Sequence, residues 1–139
     1  MADAPLELLQ RVPLFEGLDK SELDGVARLM KQRTFSAGQA ITSEGQGGVG
    51  FFVVEDGTAK VSVRGEERGT IGAGDYFGEI ALIDDDSTRS ATITAETDLR
   101  CYGMTPWEFR PLVQENASIG WKLLQAMAKK LRAAEQHQV

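Results

Sequence analysis

The sequence predicts a mainly β domain, in which short antiparallel strands are flanked by helices at both ends. Between residues 34 and 104, glycines separate short runs that are rich in Val, Ile, Phe and Thr. Such runs, with turn residues at close intervals, are typical of a sandwich, a roll or a barrel. No stretch long enough for a crossover helix separates them, which disfavours a parallel sheet. On either side, apolar residues recur at helical spacing.

An N-terminal helical unit is expected over about residues 5–31. Apolar residues from Leu6 to Val12 recur at helical spacing and indicate its first helix. Asp19 followed by Glu22 is the pattern of an N-cap residue and the third helical residue of a capping box. The second helix is therefore expected to begin directly after Asp19.

The strand-rich region is expected over residues 32–104, and two helices are expected over residues 106–135. Pro106 suits the first turn of a helix, since its missing N–H has no partner to lose there. A longer helix follows, with apolar residues four positions apart from Ile119 to Leu131. We expect Trp107 and Trp121 to pack the helices on the strands. We expect Cys101 to be a buried strand residue.

Composition fits a globular protein, and residues 1–139 are expected to form a single domain. The chain is 42% hydrophobic and 26% charged, and its net charge of -6 argues against direct binding of nucleic acid. No apolar run approaches the roughly 20 residues needed to span a bilayer, and the N-terminus lacks the pattern of a secretory signal. We expect a cytoplasmic protein without a membrane partner. The basic residues Lys129, Lys130 and Arg132 are interpreted as a solvated helix face that complements the helix dipole.

Residue types that bind metals or catalyse reactions do not cluster in the sequence. There is one Cys and one His, so no Cys/His cluster has the spacing of a metal site, and no Ser/His/Asp set is expected because the one histidine, His137, lies in the C-terminal tail. We therefore expect no catalytic residue, no metal and no cofactor.

The segment Phe77-Gly-Glu-Ile-Ala-Leu, with Arg89 after it, carries the functional signal. A short helical turn that begins at Gly78 would point free backbone N–H groups at one spot, and such helix N-termini bind anions. A chain reversal would bring the Arg89 guanidinium over that spot, and amides together with an arginine suit a phosphate. Glu79 would be repelled by a phosphate and suits a sugar hydroxyl, which donates to it. The alternative is that Arg89 is an ordinary surface salt-bridge residue.

This segment, continued by Arg89-Ser-Ala-Thr-Ile-Thr-Ala, resembles the phosphate-binding cassette of the cyclic nucleotide-binding domain family. That family includes the catabolite activator protein, protein kinase A regulatory subunits and cyclic-nucleotide-gated channels. The glycine-rich stretch from Glu44 to Gly57 is similar to the family's glycine-punctuated strand pair. The resemblance extends from about Leu9 to Arg132. It implies an eight-stranded antiparallel β-roll, jelly-roll-like, with the cassette at residues 77–91.

The resemblance also implies the ligand and the role of each residue. Arg89 would pair with the cyclic phosphate and Glu79 would accept from the ribose 2′-OH. Backbone groups would complete the cradle, the Ser90 hydroxyl would contact the phosphate or a guanine, and the last helix would cover the purine. The full set of candidate ligand-binding residues is Phe77, Gly78, Glu79, Ile80, Ala81, Arg89, Ser90, Ala91, Met127, Leu131 and Arg132.

We therefore expect a stand-alone cyclic-nucleotide sensor that favours cAMP over cGMP and performs no chemistry on it. Its output would act in trans on a protein partner through the C-terminal helix. The alternatives are a ligand-free β-roll adaptor for protein interaction, or a regulatory fragment of a larger transcription regulator or channel. Two residues depart from the family pattern: Thr88 stands where many members have proline, and Thr42 replaces a more apolar residue.

Overall fold

A computed structural model describes residues 4–43, 45, 50–84 and 89–136. Helices lie at both ends and strands between them, as the sequence predicts. The α-helices are α1 (Leu6–Gln10), α2 (Lys20–Leu29), α3 (Pro106–Glu115) and α4 (Ala117–Gln136). The strands are β1 (Lys31–Phe35), β2 (Ala40–Thr42), β3 (Phe51–Asp56), β4 (Ala59–Val63), β5 (Glu66–Ile71), β6 (Tyr76–Phe77), β7 (Thr92–Ala95) and β8 (Leu99–Met104). Two 3-10 helices, Pro13–Phe15 and Glu79–Leu82, complete the described elements.

The strands form two antiparallel sheets of four strands, and the predicted antiparallel β-roll is confirmed. One sheet has the order β1-β8-β3-β6 and the other the order β2-β7-β4-β5. Their inner faces pack against each other through a buried cluster that includes Val54 and Cys101 of the first sheet and Ala59 and Ile93 of the second. Cys101 is fully buried, as expected, and burial raises the pKa of its thiol to about 12.

A second core joins the helices to one end of the roll. Phe15, Phe51 and Phe109 are its largest fully buried side chains, and they come from the first 3-10 helix, from β3 and from α3. The rings of Phe15 and Phe51 meet edge to face with centroids 5.7 Å apart. Such pairs contribute about 0.5–1.5 kcal/mol beyond the burial of their area. The N-terminal and C-terminal helices therefore share one core with the sheet that carries β3.

The predicted capping box at the start of α2 is confirmed. The Asp19 side chain accepts a hydrogen bond from the Glu22 backbone N–H, and the Glu22 carboxylate accepts one from the Asp19 N–H, each at 2.9 Å. A second box that sequence reasoning missed begins α3, where Thr105 and Glu108 make the same reciprocal contacts. Caps of this kind stabilise a helix by about 1 kcal/mol.

Glu22 also fastens the first turns of α4 to α2. The Ser118 hydroxyl donates to its second carboxylate oxygen at 2.8 Å, and the Lys122 ammonium donates to the first. The hydrogen bond from Lys122, with those from the Asp19 backbone and Ser118, lowers the pKa of Glu22 to about 2. The N-terminal half of α4 is thereby held on the helical unit.

The expectation that both tryptophans pack on the strands is wrong. Trp107 is 61% exposed and Trp121 is 64% exposed. On α4 the buried face carries Ile119, Leu123 and Ala126, and Trp121 lies midway between the first two in sequence, so the helical period turns it outward. In the described part of the chain no helix is both long and apolar enough to cross a membrane.

Candidate ligand-binding cleft

A cleft of about 480 Å³ lies where the 3-10 helix Glu79–Leu82 meets the second sheet. Its walls include apolar side chains from β4, β5 and β7, namely Val61, Ile71 and Ile93. The segments 77–81 and 89–91 form the polar part of its lining. A pocket with apolar walls and a few convergent polar groups is the usual form of a small-molecule site.

Gly78 sets the geometry of the polar end. It is the N-cap of the 3-10 helix and has a left-handed φ of 86°, which residues with a Cβ rarely adopt. The predicted helical turn at Gly78 is therefore present, with backbone N–H groups at its start that have no intrahelical partner. A Cβ at this position would overlap the Gly50 carbonyl oxygen and lie 2.7 Å from Arg89 Nη1. Only glycine fits between the arginine and the neighbouring backbone.

Arg89 lies at the same end of the cleft, with its guanidinium half satisfied. Its Nη2 donates to the Gly50 carbonyl oxygen at 2.6 Å. Its Nε is buried, and within the described part of the chain it has no hydrogen-bond partner. Burial lowers the pKa of the guanidinium from its ordinarily very high value, and an arginine side chain stays protonated in proteins. A buried donor without a partner costs about 1–3 kcal/mol, so an anion in the cleft would fit this group.

Glu79, the first residue of the 3-10 helix, places a second charged group on the lining of the cleft. Its side chain is 17% exposed, and its Oε1 lies 3.7 Å from the Nζ of Lys130 on α4. Burial, and then the charges of Glu79 and Asp75, raise the pKa of the neighbouring Tyr76. The cleft therefore presents a cation for an anionic group and an acceptor for a hydroxyl.

The structure brings together eight of the eleven candidate residues and separates the other three. The cleft is lined by Phe77, Gly78, Glu79, Ile80, Ala81, Arg89, Ser90 and Ala91. Met127 instead lines a groove of about 700 Å³ between α3 and α4, together with Leu82 and Ile83. Leu131 is 62% exposed, Arg132 is exposed, and neither lines the cleft. The lid role of these three residues stays a prediction.

Of the two departures from the family pattern, the structure describes one. The Thr42 hydroxyl donates to the Ala91 carbonyl oxygen at 3.2 Å, which joins β2 to the backbone of the cleft wall. The side chain is nearly buried, and its polar atom is satisfied. Thr88 lies outside the described residues, as do residues 85–87 and most of the glycine-rich stretch at 44–49.

Lys130 is the residue at the cleft that sequence reasoning missed. The sequence predicts a solvated face for the basic cluster near the C-terminus, and Lys129, Lys130 and Arg132 are indeed exposed, but two of them also pair with carboxylates that the sequence did not indicate. Lys129 pairs with Glu16 at 3.2 Å, and Lys130 pairs with Glu79 at 3.7 Å. The signal available in the sequence is that Lys130 follows Met127 by one helical turn, on the face expected to approach the ligand. Within the described ranges, no group of His, Cys, Asp and Glu could hold a metal ion.

A β-roll whose cleft carries a half-buried arginine, a glycine turn and a carboxylate defines a binding domain for a small anion with hydroxyl groups. The family model for the cyclic nucleotide-binding domain matches residues 32–116. The chain belongs to the cyclic nucleotide-binding domain family.

Known proteins of several kinds are similar to this chain. A cAMP-dependent protein kinase regulatory subunit of Yarrowia lipolytica is 38% identical over 94 residues, which are 66% of this chain and 25% of that protein. A cGMP-dependent protein kinase of Eimeria tenella is 37% identical over 95 residues, covering 68% of this chain and 9% of the kinase. The crystal structure of the N-terminal domain of a Streptomyces coelicolor transcriptional regulator superposes with a TM-score of 0.87 at 26% identity, covering 95% of both chains. The chain thus spans a quarter or less of the two curated relatives.

Proposed function

We propose that this chain is a regulatory domain that binds cAMP reversibly in the cleft and catalyses no reaction of the nucleotide. The observation that carries the proposal is the half-satisfied guanidinium of Arg89. Its Nε is buried without a partner in the described residues, and its Nη1 lies close to Gly78, at the start of the 3-10 helix. Phosphate oxygens would accept from the guanidinium and from the backbone N–H groups at the start of the 3-10 helix, because both kinds of donor bind anions.

Glu79 supports a nucleotide rather than a bare phosphate as the ligand. A free anion would be repelled by this carboxylate, whereas a ribose 2′-OH would donate to it. The apolar wall of Val61, Ile71 and Ile93 gives the sugar and base a surface to pack on. Phosphate, hydroxyl and apolar surface are the three features that a cyclic mononucleotide presents together.

The choice of cAMP over cGMP is the finer part of the proposal. The relatives include a regulatory subunit named for cAMP and a kinase named for cGMP, at nearly equal identity, so identity does not decide between the ligands. Ser90 lines the cleft and is exposed, and a hydroxyl there would be able to accept from the 2-amino group of guanine, which alone would favour cGMP. We favour cAMP because several of the similar curated proteins are cAMP-dependent protein kinase regulatory subunits.

The output of the domain is proposed to leave through α4 toward a protein partner. The 3-10 helix Glu79–Leu82 lines the cleft with its first residues and the α3/α4 groove with Leu82. A ligand that shifts this helix would therefore also shift the packing of α3 and α4. The domain would then have two states, with different packings of these helices and different affinities for the ligand. The cytoplasmic location expected from the sequence stays a prediction.

A second candidate function is the ligand-sensing part of a transcription regulator. The observation that favours it is the close superposition on the Streptomyces domain over nearly the whole chain. The site and its ligand would be the same, and only the effector would differ. A ligand-free adaptor is disfavoured, because an interaction scaffold has no use for a buried guanidinium with an unpaired donor.

Competition calorimetry tests the proposed function. The chain is titrated with cAMP, with cGMP and with AMP, and the nucleotide is recovered afterwards and identified by chromatography. We expect cAMP to bind more tightly than cGMP, AMP to bind far more weakly, and cAMP to be recovered unchanged. No heat with either cyclic nucleotide would contradict the binding function. A cGMP preference that Ser90→Ala abolishes would overturn the choice of ligand alone, and recovery of a hydrolysed product would overturn the absence of chemistry.

A further inference from the structure

Among the residues that the structure describes, one ion pair joins the C-terminal helix to the rim of the cleft. Lys130 Nζ lies 3.7 Å from Glu79 Oε1, and their side chains are 44% and 17% exposed. An ion pair that is partly exposed and longer than a hydrogen bond contributes little to stability. Its position, however, brings a cation from α4 to a carboxylate that lines the same cleft as Arg89.

The charges at the cleft are balanced for an anion only when Lys130 is counted. Among the described residues that line it, the charged side chains are Glu79 and Arg89, and their charges cancel. A cyclic nucleotide carries one negative charge on its phosphodiester, which Glu79 repels. Lys130 gives the cleft and its rim one net positive charge. It contacts a cleft residue, so it acts on a ligand there from within the Debye length of about 8 Å at physiological ionic strength.

We propose that Lys130 is a ligand-binding residue of this domain, which rests on the proposed function above. Its ammonium neutralises the repulsion between Glu79 and the ligand phosphate, and it remains beside the carboxylate when the ribose hydroxyl donates to the same group. Lys130 thereby links α4 to the bound ligand electrostatically. This link is separate from any contact made by Met127, Leu131 and Arg132, the three α4 residues predicted from the sequence.

The geometry of the Glu79 carboxylate favours this role over competition with the ribose. An ionised carboxylate has two oxygens and about four acceptor sites. Lys130 lies at 3.7 Å from one oxygen, which is beyond the 2.7–3.2 Å range typical of N–H···O bonds. Acceptor capacity for a sugar hydroxyl therefore remains while the lysine is in place. If Lys130 instead had to leave before the ribose could bind, its removal would strengthen binding.

Lys130→Met tests the proposal, with Lys129→Met as the matched control. Methionine removes the charge and keeps most of the aliphatic chain, and Lys129 is a neighbouring lysine whose carboxylate partner, Glu16, lies on the N-terminal unit. Affinity for cAMP is measured by calorimetry at low ionic strength and at about 0.5 M KCl. We expect Lys130→Met to weaken binding about three- to tenfold at low salt, with a smaller deficit at high salt, because screening removes the contribution of a partly exposed charge. Lys129→Met is expected to bind as the wild type does, and Lys130→Arg to restore the affinity.

The outcomes separate this inference from the proposed function. If the wild type binds cAMP and the two variants, Lys130→Met and Lys129→Met, have the same affinity for it, the role of Lys130 is overturned and the proposed function stands. Tighter binding by Lys130→Met would identify the lysine as a competitor of the ligand and would also overturn the proposal. A loss that is the same at both salt concentrations and is accompanied by a lower melting temperature without nucleotide would assign Lys130 a structural role instead. No binding of cAMP or cGMP by the wild type would overturn the proposed function, and the role of Lys130 with it.

Discussion

The guanidinium of Arg89 lies directly against Gly78, so that a Cβ on residue 78 would be 2.7 Å from Arg89 Nη1. The same Cβ would overlap the carbonyl oxygen of Gly50, which accepts the hydrogen bond from Arg89 Nη2. The missing side chain at residue 78 is therefore what allows the arginine to reach the mouth of the turn. Gly78 therefore determines the position of the Arg89 guanidinium by lacking a side chain.

Gly78→Ala is expected to lower cAMP affinity at least tenfold, because the new methyl group displaces Arg89 from the cleft. Gly38→Ala is the matched control: its φ of 89° is nearly the same as the 86° of Gly78, but a Cβ there would meet nothing within 4 Å. Each variant should lose about 1–2 kcal/mol of unfolding free energy from the left-handed backbone, and Gly78→Ala should lose more, because its Cβ also overlaps the Gly50 carbonyl oxygen. Calorimetry and urea unfolding measure the two effects. Equal affinity in the two variants would show that the contact between Gly78 and Arg89 is not needed.

Glu79 is expected to recognise the ribose 2′-OH. The wild type should bind cAMP more tightly than 2′-deoxy-cAMP, because the deoxy analogue lacks the hydroxyl that donates to Glu79 and still removes water from that carboxylate. Glu79→Ala should bind both nucleotides equally, and Glu79→Gln should lie between, since an amide oxygen still accepts. These affinities form a double-mutant cycle measured by calorimetry. If the wild type does not distinguish the two nucleotides, Glu79 has another role.

The stability of the domain should depend on pH through Glu22. Its pKa is lowered from 4.5 to about 2 in the folded state, chiefly by the hydrogen bond from Lys122. A lowered carboxyl pKa stabilises the folded protein above the unfolded pKa, and the stabilisation disappears as pH falls from about 4.5 to 2. Glu22→Gln should therefore lower the free energy of unfolding at pH 7, and the difference from the wild type should shrink at pH 3.

The control for this experiment is Glu16→Gln. Glu16 also joins the N-terminal unit to α4, through Lys129, but this pair is exposed on both sides. Urea unfolding of Glu16→Gln should match that of the wild type at pH 7 and at pH 3, because exposed pairs contribute little. A Glu22→Gln deficit that is as large at pH 3 as at pH 7 would mean that lost packing, and not the carboxylate, explains it.

Local signals in the sequence were enough for several of these features. The capping box of Asp19 and Glu22, the turn at Gly78 and the burial of Cys101 each follow from neighbouring residues, and each is present. The exposure of Trp107 and Trp121 was not predicted, because residue type alone does not distinguish a buried aromatic side chain from an exposed one. Folded surfaces carry many apolar atoms.

Contacts between distant segments were not available from the sequence. The strand order β1-β8-β3-β6 pairs segments from opposite ends of the roll, and no local pattern specifies such a partner. The family resemblance implied a β-roll but not this order. The pair of Lys130 and Glu79 depends in addition on how α4 packs, which is set by its buried residues and by the Glu22 contacts. A lysine in a basic cluster has many candidate partners, so its pairing follows only from the folded structure.

Ligand binding is expected to protect α4 as well as the cleft from hydrogen exchange. The 3-10 helix Glu79–Leu82 contributes to both the cleft and the α3/α4 groove, in which Met127 lies. Added cAMP should therefore slow exchange in this helix, around Arg89, and in α4 after Met127. The helix α2 is the internal control and should not change. Protection confined to the cleft would contradict the output route and the lid role predicted for Met127, Leu131 and Arg132.

The central claim is that Arg89 binds the phosphate of a cyclic nucleotide, and calorimetric titration of cAMP into Arg89→Ala tests it most directly. Arg100→Ala is the control, because Arg100 is an exposed arginine whose Nε is hydrogen-bonded to Glu55 at 2.6 Å. We expect the wild type and Arg100→Ala to bind alike. Arg89→Ala should lose about 30-fold or more in affinity, since truncating one partner of a buried charge pair costs about 2–5 kcal/mol, while its melting temperature without nucleotide stays near that of the wild type. Wild-type affinity in Arg89→Ala would contradict the account.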